Sequence, residues 1–370
     1  MRAGERTPRA IAALACWLAA LAGVSAQSPP ASGEAIYRSA CLTCHGPDGR
    51  GSPRAVVGFA TPLPDFTDCA FASAEADIDW FSVVHEGGPV RGLARHMPAF
   101  GDALSDADID AAVAYLRRFC ANRAWPAGDL NLPRAFFTEK AFPENETVWT
   151  TGVNTSGPKA VSNLLVFEHR IRSRSQYEVT IPLDFQQTTP GQPWARGIGD
   201  VELALRRSFY ASIDHTAIFA AGGAVTLPTG KEELGLGNGF TVVEPFAMWG
   251  QMIGTSAFVQ THVGYEVASD QTRGQNEGFV RTALGYTVAQ DRGFGRSWTP
   301  MLEVLAAKPE GGAAEWDLVP QMQISLSKLQ HILFSVGVRV PINERDERKP
   351  QVLAYFLWDW FDGGLFQFWK

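Results

Sequence analysis

The run Cys41-Leu42-Thr43-Cys44-His45 carries the most specific chemistry in the chain. Two thiols separated by two residues and followed at once by an imidazole form C-x-x-C-H, the attachment pattern of a c-type haem. The spacing lets one helical turn present Cys41 and Cys44 to the two vinyl groups of a single porphyrin. His45 then lies beneath the iron as the proximal ligand. A zinc half-site would need a second cysteine or histidine pair at similar spacing, and the sequence has none. A thioredoxin-like C-x-x-C is the other competing reading. Neither His169, His215, His262 nor His331 belongs to a second C-x-x-C-H, so the expectation is one covalent haem c rather than a wire of several.

Helices must hold that motif. Ile36, Tyr37, Ala40 and Cys41 fall at helical spacing just before it. Ser105-Asp106-Ala107-Asp108 reads as an N-terminal cap with an acid at the third helical position. It opens a helix whose apolar face is Ile109, Ala112, Val113, Leu116 and Phe119. A first helix, a haem motif and a closing helix resemble a class I cytochrome c domain over about residues 31–122. That resemblance implies electron transfer rather than catalysis, and a second iron ligand between the motif and the closing helix. Met97-Pro98-Ala99-Phe100 matches the family's ligand loop, which implies Met97 as the distal iron ligand. A thioether opposite a histidine raises the haem potential. His85 and His96 are rival ligands, and an unfilled distal position would instead suit an enzyme or sensor that binds a small molecule at iron.

The N-terminus reads as an export signal. Arg2, Arg6 and Arg9 precede an apolar run from Ile11 to Val24, and Val24-Ser25-Ala26 suits cleavage, giving a signal peptide over 1–26. Cys16 leaves with it. Cys69 and Cys120 remain as an even pair in an oxidising compartment, where a disulfide is expected and two separate buried thiols are the alternative. The chain has 370 residues, 45% hydrophobic and 19% charged, which excludes wholesale disorder. A net charge of −7 excludes a general nucleic-acid binder.

A turn-rich linker over 123–141 separates two composition regimes, and beyond it period-2 alternation dominates. Tyr177, Val179, Ile181, Leu183 and Phe185 alternate with Glu178, Thr180 and Asp184; Ile332, Phe334, Val336, Val338 and Val340 alternate with Ser335, Gly337 and Arg339. Strands are expected near 142–152, 163–172, 177–186, 198–209, 215–227, 239–249, 256–267, 277–289, 297–307, 316–327, 332–342 and 351–361. Leu365–Trp369 is a candidate for one more. The connections mostly alternate long and short, as in outer-membrane barrels, whereas a soluble β-sandwich is the other architecture with this alternation. Gly197-Ile198-Gly199-Asp200-Val201, Leu227-Pro228-Thr229-Gly230, Glu244-Pro245-Phe246 and Trp358-Asp359-Trp360-Phe361-Asp362-Gly363-Gly364 resemble the outer-membrane barrel family labelled for a meta-pathway of phenol degradation. The fold class expected is therefore multidomain. A small all-α cytochrome c domain precedes an all-β antiparallel up-and-down membrane barrel of about 12 strands over 142–370. The whole would sit at the bacterial outer membrane with the cytochrome in the periplasm. Expected partners are the lipid bilayer, a periplasmic or outer-membrane redox partner and a small solute in the barrel, with no nucleic acid. Glu178, Asp184, Arg281, Glu303, Asp317 and Arg339 would face the lumen, as channel lining or as filling of a narrow interior. A pore with an accessory cytochrome is the competing function.

Overall fold

A computed structural model describes residues 32–120, 122–187, 191, 193–289, 296–345 and 348–359. The expected signal peptide and the extra strand at Leu365–Trp369 lie outside the described residues.

The first unit is helical. Gly33–Ile36 is α-helical, Tyr37–Cys41 forms a π-turn, and Leu42–His45 resumes the α-helix. Gly33 lies against the closing helix Asp106–Leu116 so tightly that a Cβ there would sit 2.0 Å from the carbonyl oxygen of Ala111. Only glycine permits that crossing. Ser105 caps the closing helix: its hydroxyl accepts from the Asp108 N–H, and the Asp108 side chain accepts from the Ser105 N–H in return. Ile109, Val113 and Leu116 then pack on Tyr37, Phe66, Trp80, Phe81 and Val84, the last three from the helix Asp77–Glu86.

The second unit is a closed antiparallel barrel of 12 long strands. They are β1 (Glu146–Asn154), β2 (Ala160–Ile171), β3 (Ser175–Gln186), β4 (Val201–Ser212), β5 (Ala217–Leu227) and β6 (Val242–Ile253), followed by β7 (Ala257–Ala268), β8 (Glu277–Tyr286), β9 (Ser297–Pro309), β10 (Glu315–Ser325), β11 (Ile332–Pro341) and β12 (Gln351–Asp359). Ala195–Ile198 and Val288–Ala289 are short extensions pairing with β3 and β9. Each strand pairs with its sequence neighbours, and β1 pairs with β12 from Glu146↔Asp359 to Asn154↔Gln351, which closes the ring. Closure leaves no free edge, the condition for strands to cross lipid. β1 starts four residues later than the alternation suggested, because Phe142–Asn145 belong to the barrel's filling instead.

Period-2 alternation sorts the two faces. Trp149, Leu203, Leu205, Trp249, Val280, Leu284, Trp298, Trp316, Val336 and Phe356 point outward and are exposed, forming an apolar outer surface. Glu146, Glu168, Glu178, Arg206, Gln260, His262, Glu303, Asp317, Gln321 and Gln323 point inward and are buried. Among the described residues no helix is long and apolar enough to cross a membrane.

The helical unit meets the barrel at the end bearing the short turns. His331, just before β11, lies 2.6 Å from Glu75, and Arg91 donates to the Lys328 carbonyl. The Asp129 carboxylate accepts the Asp77 N–H at the start of its helix.

Candidate functional site

The motif is clamped by its own backbone. The Ser52 N–H donates to the Cys44 carbonyl at 2.7 Å and the Gly51 N–H to the His45 carbonyl at 3.0 Å. The Tyr37 hydroxyl donates to the Gly46 carbonyl at 2.6 Å. The π-turn Tyr37–Cys41 ends on the first motif cysteine. An inserted residue in a helix of this kind often re-aims a functional side chain.

Cys41, Leu42, Met97 and Phe100 line the same apolar cluster as Tyr37, Phe66 and Trp80, and the His45 ring lies 5.0 Å from that of Phe66. Cys41 and Cys44 are both free thiols. Burial, then the neighbouring Cys44, pushes the Cys41 thiol up to about 11, and burial pushes His45 down to about 4. The His45 Nδ1 is buried with no hydrogen-bond partner. A half-buried imidazole whose Nδ1 has no hydrogen-bond partner, beside two unpaired thiols and against the Phe66 ring, with Met97 on the same apolar cluster, is a donor set that fits haem c. Met97 enters on a loop fixed by its carbonyl accepting from the Gly88 N–H at 3.0 Å. The rival histidines are held elsewhere. His96 is exposed and stacks on Phe59 at 4.2 Å, while His85 stacks on Phe81 and reaches Glu86 at 2.9 Å.

Cys69 and Cys120 are disulfide-bonded, with Cα atoms 5.2 Å apart. The bond ties the segment after the motif loop to the end of the closing helix across 51 residues. By loop-closure entropy a link of that span stabilises by about 4 kcal/mol. Replacing both cysteines with alanine is therefore expected to lower the melting midpoint of the helical unit by well over 10 °C, measured as loss of far-UV helical signal, with the barrel unaffected.

A second constellation escaped sequence reading. The segment from Gly128 to Asn145 does not hang between the units; it runs inside the barrel. The Glu303 carboxylate on β9 accepts the N–H groups of Phe136, Phe137 and Thr138 at 2.9, 3.0 and 2.7 Å, together with the Thr138 hydroxyl and the Gln321 amide. The Arg134 guanidinium bridges Glu146 on β1 and Glu168 on β2, and the Arg134 carbonyl accepts from Tyr355 and Gln323. Lys140 pairs with Glu144 and Glu146. Arg206 on β4 bridges Glu168 and the segment's own Glu139. Gln260 donates to the Pro133 carbonyl at 2.7 Å. Phe136 rests where a Cβ on Gly337 would lie 2.8 Å from its ring, so β11 is cut back to receive it. Glu144, Glu146 and Glu168 cluster as a carboxylate metal site would, yet Lys140 and Arg134 already supply the cations.

The six charged residues expected in the lumen do lie on inward positions. Glu178 and Glu303 belong to the filled interior, and Arg339 pairs with Asp317 nearer the long-loop end. They are the walls of a filled interior, and the filling comes from the chain itself.

With this geometry in view, comparisons with known proteins bear on both units. Residues 28–116 match the family model described as cytochrome c oxidase, cbb3-type, subunit III. The N-terminal unit is a c-type cytochrome domain. Membership in that class implies covalent haem c. No curated protein matches the chain. Among solved structures, the COG4313 outer membrane channel from Pseudomonas putida F1 is 14% identical over 61% of this chain and 99% of its own, with a TM-score of 0.45. The NanC porin is 10% identical over 58% and 98%, with a TM-score of 0.41. The KustC0563 c-type cytochrome is 26% identical over 24% and 98%, with a TM-score of 0.21. The barrel resembles outer membrane proteins in fold, and its outer surface is apolar.

Proposed function

We propose that this chain is a single-haem electron carrier fixed to the outer membrane by a self-plugged barrel, with its cytochrome domain in the periplasm. The observation that carries the reading is the joint placement of Cys41 and Met97 on one aromatic cluster whose Phe66 also meets the half-buried His45 ring. Bound haem would supply reversible one-electron chemistry at iron. Cys41 and Cys44 would hold it covalently, His45 and Met97 would ligate its iron, and Tyr37, Phe66 and Trp80 would exclude water from the pocket. The long loops and short turns support the orientation, since the cytochrome domain joins the barrel at the short-turn end. One haem does not bridge a membrane band of about 25 Å. Electrons therefore enter and leave on the same side through a periplasmic or outer-membrane redox partner.

The plug weighs against the rival reading of an open pore, because the lumen of a 12-strand barrel is narrow and here it is occupied.

The test is absorption spectroscopy of the protein purified from outer membranes. Wild type should show the long-wavelength band of methionine-ligated ferric haem c, and Met97→Ala should abolish it and lower the reduction potential by on the order of 100 mV, within the ~0.8 V range that axial ligands command. Ready carbon monoxide uptake by reduced wild type would overturn the reading and point to an open-site enzyme or sensor.

A further inference from the structure

The chain is acidic overall, yet one sector of the short-turn rim is strongly basic. Arg172 lies in the β2–β3 turn at a left-handed φ of 57° and is exposed. Beside it Arg174 spends its guanidinium on the backbone: Nε donates to the Ala124 carbonyl at 2.8 Å, Nη2 to the Arg123 carbonyl at 3.0 Å and Nη1 to the Phe209 carbonyl at 3.1 Å. This pins the chain leaving the cytochrome domain onto the barrel rim and fixes Arg123 there, with its own side chain exposed. An open cavity of about 520 Å³ lies alongside, lined by Arg117, Arg118, Cys120, Asn122, Arg123 and Trp125. Arg117 is consumed by Asp77 and by the Ala72 and Glu75 carbonyls. Among the described residues, no carboxylate pairs with Arg118, Arg123, Arg172 or Arg207.

Arg207 decides what the patch faces. It sits on β4 between outward Leu205 and Phe209, which are 57% and 58% exposed, opposite Ser175 at the turn end of β3. Its guanidinium donates to the Ser175 hydroxyl at 3.3 Å. A lipid-facing arginine is costly in hydrocarbon and tolerable only where its head reaches the interface. Ile171, Tyr177, Tyr210 and Ile213 on the same sector are exposed and apolar or amphipathic, as expected where an acyl layer meets headgroups.

We infer that Arg118, Arg123, Arg172 and Arg207 form a binding site for the phosphate of an anionic phospholipid in the leaflet at the short-turn rim. The inference rests on the membrane placement proposed above. The apolar belt receives the acyl chains, and the four guanidinium groups surround the headgroup. Each cation beside an anionic lipid surface strengthens binding by about fivefold, so selectivity over a zwitterionic lipid follows.

The full-length holoprotein, reconstituted in vesicles of equal phosphatidylglycerol and phosphatidylcholine and released for native mass spectrometry, provides the test. Wild type should retain phosphatidylglycerol enriched about fivefold or more over phosphatidylcholine. The variant Arg118→Gln/Arg123→Gln/Arg172→Gln/Arg207→Gln should retain the bulk ratio, with haem content and heat-modifiable gel mobility intact. Should the quadruple variant not fold, Arg207→Gln alone, which gives up the Ser175 contact, should reduce the enrichment. Equal retention of both lipids by wild type, or enrichment untouched by the substitutions, overturns the site. Displacement of the lipid by inorganic phosphate, but not by chloride of equal ionic strength, makes a soluble anion the occupant and overturns the lipid assignment. Failure to insert into vesicles at all would instead overturn the membrane reading.

Discussion

Arg134→Ala in the full-length protein is expected to open a conducting path through a barrel whose lumen is otherwise filled by the segment from Gly128 to Asn145. Arg134 is the cation between Glu146 and Glu168, both essentially inaccessible to water, and its carbonyl is held by Tyr355 and Gln323. Removing one member of a buried charge cluster costs about 3–5 kcal/mol, because the partners stay buried without compensation. The barrel ladder does not run through Arg134, so the strain falls on the plug rather than on the strands. With the segment loosened, the carboxylates of Glu146, Glu168, Glu178 and Glu303 regain water, and the lumen they line favours cations. In planar bilayers the variant should show long-lived, cation-selective openings where wild type shows none or far smaller ones. The folded state is checked by gel mobility of the unheated barrel. An equally silent, folded Arg134→Ala variant would mean the plug is held by the Glu303 cradle alone. Glu303→Gln, which weakens every N–H···carboxylate bond to Phe136, Phe137 and Thr138 at once, would then decide whether the lumen opens at all.

The plug also marks where sequence reading stops. Local patterns were legible because each is written within a few residues. C-x-x-C-H needs five positions, the Ser105–Asp108 cap needs four, and the alternation of β3 or β11 is set by which face meets lipid. The long and short connections were legible because turn residues interrupt that alternation. Strand starts were less so: β1 begins at Glu146 rather than at 142, since Phe142 alternates acceptably yet packs with Leu130, Ala141 and Met248 in the interior. The plug itself has no period. Leu130, Leu132, Arg134 and Phe136 each answer a partner far away in sequence, such as Glu168 for Arg134 and Glu303 for the Phe136 amide. One signal was present. Inward positions of the strands carry Glu146, Glu168, Glu178 and Glu303, and buried carboxylates require donors. The strands' own inward cations, Arg206 and Arg281 among them, do not pair with Glu303, which takes one strand donor from Gln321 and its remaining donors from the plug segment. The Cys41–His45 motif was fully readable, whereas the aromatic contact of the His45 ring is with Phe66, remote in sequence.

Loss of both motif thiols should give the largest effect on the cytochrome domain. In Cys41→Ala/Cys44→Ala, haem retained after denaturing electrophoresis should fall to background, because no other free cysteine occurs among the described residues to form a thioether. Cys41→Ala and Cys44→Ala singly should each keep a reduced covalent fraction, since one thioether still anchors the ring. The consequence reaches stability. A ligand held only by the folded state stabilises it, and without one the aromatic cluster of Tyr37, Phe66 and Trp80 borders a pocket with nothing to pack against it. Every 1 kcal/mol so lost lowers the midpoint of a domain this small by roughly 4–8 °C, so the helical signal should melt tens of degrees earlier. The barrel should not follow. Its ladder closes on itself through β1 and β12, and its interior is satisfied by the plug, so unheated gel mobility should match wild type. Covalent haem surviving in the double variant would remove Cys41 and Cys44 from their assigned role. Simultaneous loss of barrel mobility would show instead that the cytochrome domain, through Glu75–His331 and the pinned segment at Arg123, helps the barrel to assemble.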